Sequence, residues 1–153
     1  MSHCIQALVF PGRLSAPARA RIADARTARL AQGFVLMPIS DDILDQLGDT
    51  AVPRRSENSN RLSVGVVRLA RELSAIAPIA YVETDYFGGV GTQCAAAWVN
   101  GAEAVQISSD SGVISTALRA LGVSRDGATD EFEAVGLQRF RDNASWLESG
   151  EPG

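Results

Sequence analysis

Apolar residues come in short runs, and the punctuation between the runs predicts where strands and helices fall. Residues 4–10, Cys-Ile-Gln-Ala-Leu-Val-Phe, are stopped by Pro11-Gly12 and predict a first strand. Ser15 as N-cap and Pro17 in the first turn predict a short helix running to about Ala25. A second strand is expected over 30–39, interrupted near Gly33 and ended, or pushed to an edge, at Pro38. Ser40 with Asp41 and Asp42 opens a helix over 41–47 that Gly48 closes. Residues 49–60 are polar and turn-rich and read as a loop. The clearest helix runs over 61–77, where Leu62, Val66, Leu69, Leu73 and Ile76 recur at helical spacing before Pro78. Strands follow over 79–86, 93–99 and 102–107, and Asn100-Gly101 joins the last two as a type I′ hairpin. A helix over 112–121 ends at Gly122. Asp130 and Glu133, in capping spacing, then open short helical turns carrying Phe132, Val135 and Trp146.

These elements imply one α+β domain over residues 1–148, with 149–153 as a flexible tail. Its sheet is expected to be mixed or mainly antiparallel, with about five strands, and to carry helices packed against it. A length of 153 residues fits one domain, and 46% hydrophobic with 21% charged residues is ordinary for a soluble protein. No apolar run approaches the ~20 residues of a membrane span. The chain opens on Met1-Ser2-His3-Cys4 without a signal segment, so a cytoplasmic location and no membrane partner are expected.

Every one of the 14 basic residues is arginine, which removes lysine chemistry: Schiff bases, the P-loop lysine and Ser-Lys dyads. The net charge of −4 is unevenly placed. Ten arginines against seven acids leave +3 on residues 1–72, while four against eleven leave −7 on residues 73–153. No nucleic-acid partner is expected, and the acidic second half suits a basic protein partner. A homo-oligomer is also compatible with the chain. Cys4 and Cys94 read as small buried hydrophobes on strands, since there is no CxxC and the one histidine, His3, anchors no familiar motif. No cofactor or metal is implied, and neither GxSxG nor HExxH is present.

The segment Tyr81-Val82-Glu83-Thr84-Asp85-Tyr86-Phe87-Gly88-Gly89-Val90-Gly91-Thr92-Gln93 is the most unusual. Gly88, Gly89 and Gly91 read either as a connection between adjacent strands or as a nest of N–H groups for an anion. Glu83 and Asp85 share one face of a strand. They are a solvated strand end or an arginine-paired site on one reading, and base or metal ligands on the other. On that second reading Tyr86, Gln93 and an arginine such as Arg54 orient a substrate. Trp98 follows three alanines, so it is a core residue or a partner-binding hot spot, with a helix or partner chain close by.

The strand Gln32-Gly33-Phe34-Val35-Leu36-Met37-Pro38-Ile39, followed later by Ala80 to Gln93, resembles small uncharacterised bacterial proteins. In general appearance the chain is similar to immunity proteins of bacterial toxin systems. That resemblance implies a compact, acidic α+β partner without catalysis: a non-enzymatic cytoplasmic inhibitor of a basic protein. The alternative is a small enzyme or ligand-binding domain with its site at the glycine-rich 83–93 segment.

Overall fold

The first apolar run becomes the strand around which the sheet is assembled. β1 (Ser2–Pro11) pairs antiparallel with β3 (Phe34–Pro38) on one side and with β4 (Ile79–Phe87) on the other. β2 (Ala28–Arg29) extends the sheet beyond β3, while β5 (Val90–Val99) and β6 (Ala102–Ser108) extend it beyond β4. The order is β2–β3–β1–β4–β5–β6, antiparallel throughout. A computed structural model describes residues 2–22, 26–47, 64–87, 90–108, 112–125, 127–128, 130–137 and 142–149. Among the described residues the sheet has six strands where about five are expected, because two-residue β2 is too short to show a period of its own. Asn100 and Gly101 turn from β5 to β6 with φ of 53° and 80°, the left-handed pair that a type I′ turn needs.

Both faces of the sheet are covered, which explains why its central strands read as apolar runs and not as alternation. On one face α1 (Ser15–Arg21), α2 (Asp41–Gln46) and α3 (Val64–Ser74) pack through Ala18, Ile43 and Val66 onto Phe10, Tyr81 and Trp98. On the other, α4 (Val113–Ala120), α5 (Glu131–Val135) and α6 (Asn143–Ser149) pack through Ile114, Val135 and Trp146 onto Val9, Val82 and Ala97. The alanines of β5 admit α4 closely to that face. Among the described residues no helix is long and apolar enough to cross a membrane.

Several local expectations change. Ser15 does not cap α1: it lies inside the helix at φ −58°, continuing a 3-10 turn over Gly12–Leu14. α3 stops at Ser74, so Ile76 leaves the apolar stripe and is 55% exposed; Leu62 lies outside the described residues. The Ser74 hydroxyl donates to the Arg71 carbonyl and accepts from Gly101 N–H, tying the helix end to the β5–β6 hairpin. Cys94 is buried as expected, but Cys4 is exposed near the start of β1.

Candidate functional site

The glycine-rich segment is a hairpin. Phe87 pairs with Val90, Tyr86 with Gly91 and Asp85 with Thr92, so Gly91 and Gln93 sit inside β5 and not in a loop. A Cβ on Gly91 would collide with the Asp85 carbonyl oxygen, so the close approach of the two backbones requires glycine there. Gly88 and Gly89 lie outside the described residues, as does Arg54.

Alternation along β4 divides the proposed site residues between the two faces of the sheet. Glu83 and Asp85 share the α3 face with Tyr81 but not one environment: Glu83 is 1% exposed and Asp85 is exposed. The Tyr81 hydroxyl donates to Glu83 Oε1 at 2.6 Å, an interaction between buried side chains. Trp98 belongs to the core of that same face and offers no surface to a partner.

Tyr86 and Gln93 project to the opposite face, into a cleft of about 330 Å³. Thr84, Gly112, Ile114, Ser115, Asp130 and Phe132 complete its lining. A chain of hydrogen bonds builds the polar rim. Gln93 donates from Nε2 to the Tyr86 hydroxyl at 3.1 Å and accepts at Oε1 from Ile114 N–H at 3.1 Å, so its amide supports the first turn of α4. One residue along, the Ser115 hydroxyl accepts from Phe132 N–H at 3.4 Å. Asp130 accepts from Glu133 N–H at 2.9 Å and caps α5. Thr84 is committed elsewhere, accepting from Ile5 N–H across to β1 at 3.1 Å.

Behind the rim, Arg119 Nε donates to Glu131 Oε2 at 3.1 Å and joins α4 to α5. This hydrogen bond holds the Glu131 carboxyl below the usual carboxylate range, against burial, and raises the Arg119 guanidinium above its ordinary value. A second, polar cleft of about 210 Å³ lies on the α1–α3 face, where Arg21 is paired with Glu72 and Arg68 is exposed. Among the described residues no group of three or more His, Cys, Asp or Glu is assembled that could hold a metal.

Sequence reasoning reached Tyr86 and Gln93 but did not bring Ile114, Ser115, Asp130 or Phe132 to them. The spacing of Asp130 and Glu133 announces a helix start. No local pattern states that this start meets the first turn of α4. Compared with protein-family models, curated proteins and solved structures, the chain matches none.

Proposed function

We propose that the protein is a non-enzymatic binding protein and that its site is the cleft between the β4–β5 hairpin and the first turns of α4 and α5. The Tyr86 hydroxyl carries this reading. It accepts from Gln93 and stands among the apolar walls of Ile114 and Phe132, a lining of few polar groups on an apolar surface that suits a small organic group. Among the described residues the Ser115 hydroxyl is bonded to a backbone amide and to no base, which supports binding over nucleophilic catalysis. A thermal-shift screen of small organic compounds tests it. A compound at ~100 times its dissociation constant stabilises the folded state by ~2.7 kcal/mol. That stabilisation should be lost in Tyr86→Phe and Phe132→Ala; hits that stabilise these variants as much as the wild type would place the site elsewhere.

A second reading keeps this surface and changes its ligand to a basic protein, as for an immunity-type inhibitor. Its support is the acid on the rim, where half-buried Asp130 stands beside exposed Glu133, in the half of the chain with net charge −7. Capture of a stoichiometric basic protein from the native host, weakened by salt and by Glu133→Gln, is the expected result. Capture indifferent to both would count against it.

A further inference from the structure

We propose that the cleft takes a free α-amino acid with an apolar side chain, held by its carboxylate, its ammonium and that side chain together. This deepens the binding reading above and rests on it.

The donors come first. The Tyr86 hydroxyl receives Gln93 Nε2 as an acceptor, so its own proton is left to point elsewhere. Ser115 is only 8% exposed, and its hydroxyl likewise accepts, from Phe132 N–H. Neither hydroxyl donates to an acceptor among the described residues. In the first turn of α4, Ile114 N–H is taken by Gln93 and Thr116 N–H by the Gly112 carbonyl, while the amides of Val113 and Ser115 have no acceptor among the described residues. The cleft therefore offers several hydrogen-bond donors at the positive end of a helix, where a carboxylate is the matching group.

A simple anion fits poorly, because Asp130 lines the same cleft. One of its carboxylate oxygens is engaged by Glu133 N–H, and the other has no partner among the described residues. Asp130 and Ser115 accept from the successive amides of Glu133 and Phe132, so the carboxylate and the hydroxyl stand side by side. A cation alone would leave the hydroxyl donors unused, and each buried polar group without a partner costs ~1–3 kcal/mol. A carboxylate and an ammonium on one carbon satisfy both sides of this junction. Ile114 and Phe132 then face the ligand side chain, and about 330 Å³ leaves room for one of leucine or phenylalanine size.

Calorimetry with leucine and phenylalanine, their N-acetyl and methyl-ester forms, and the corresponding des-amino acids tests the inference on the whole chain. Free amino acids should bind, with acetylation or esterification weakening binding by about tenfold or more, the loss of one charge-assisted contact. Asp130→Asn keeps a capping residue at the start of α5. It should weaken leucine by about tenfold while leaving the des-amino acid unchanged or tighter. Tyr86→Phe should weaken both. Equal binding of leucine and N-acetyl-leucine, or leucine binding indifferent to Asp130→Asn, overturns the amino-acid inference. If a des-amino or acetylated compound binds in a Tyr86-dependent way while leucine does not, this inference fails and the cleft stands as the site. If no compound of either test depends on Tyr86, both fail.

Discussion

Three side-chain amides act in this molecule as if they were peptide groups. Asn143 accepts from Gln6 N–H at 2.9 Å and donates to the carbonyls of Gln6 at 3.0 Å and Ile39 at 3.1 Å. It completes β1 where β3 has ended, since β3 pairs only with Ala7 to Pro11. Gln32, itself at φ 63°, clasps Ser124 in the same two-handed way, with contacts of 2.7 and 3.0 Å. Gln93 is the third, and it couples the β4–β5 hairpin to α4. Gly91 is the opposite case, a residue needed for what it lacks. Gly91→Ala should lower stability in urea denaturation by ~2 kcal/mol or more, because backbone must move to admit the methyl group. Tyr86 is Gly91's cross-strand partner, so the same variant should weaken whatever the cleft binds. An alanine variant of wild-type stability would mean the hairpin is free to open there.

At the scale of elements, the joint between α4 and α5 decides the shape of the cleft, and one ion pair ties it. Glu131 is buried and its carboxyl is held low chiefly by the Arg119 hydrogen bond. A folded value below the unfolded one means that the stabilisation is present above the unfolded value of ~4.3 and is lost as pH falls through the folded one. Urea midpoints measured between about pH 3 and pH 7 should therefore fall more steeply toward acid in the wild type than in Glu131→Gln; parallel profiles would show that the pair adds nothing. Legibility in the sequence follows the same division between local and distant causes. The Asn100-Gly101 hairpin, the Ser40 cap of α2 and the Asp130 cap of α5 are written in neighbouring residues and could be read. The end of α3 was not legible, because it is fixed by Gly101 binding Ser74, residues 27 apart in the chain. Gly91 looked like loop for a similar reason: glycine disfavours strands, and only the Asp85 carbonyl opposite explains its place. The cleft was half legible: its strand residues stand in one unusual segment and Asp130 in a readable cap, but no local pattern brings α4 and α5 to that strand pair.

On the scale of the whole molecule, a sheet clothed on both faces leaves few positions at which a side chain is both exposed and supported. Glu83, one of the two acids the sequence offers on β4, lies in the interior with Tyr81, and Trp98 lies with them. The indole N–H of Trp98 has no hydrogen-bond partner among the described residues, so that core accepts a polar loss for the sake of packing. The placement of β1 also has a bearing on time. β4, β5 and β6 follow one another within residues 79–108 and can zip from two neighbouring turns, whereas Ser2 must find Phe87. Loop-closure entropy makes that long-range pairing the late one. Ile79→Val, which lies outside the β1 pairing, should mainly slow refolding, and Val9→Ala should mainly speed unfolding; the reverse pattern in stopped-flow chevrons would put β1 in the nucleus. β3 can pair with β1 over Ala7 to Pro11 before β4 is made, but the side of β1 that β4 takes is the last to be paired. During synthesis that side of β1 is an open strand edge, exposed to wrong pairing until residues 79–87 have followed.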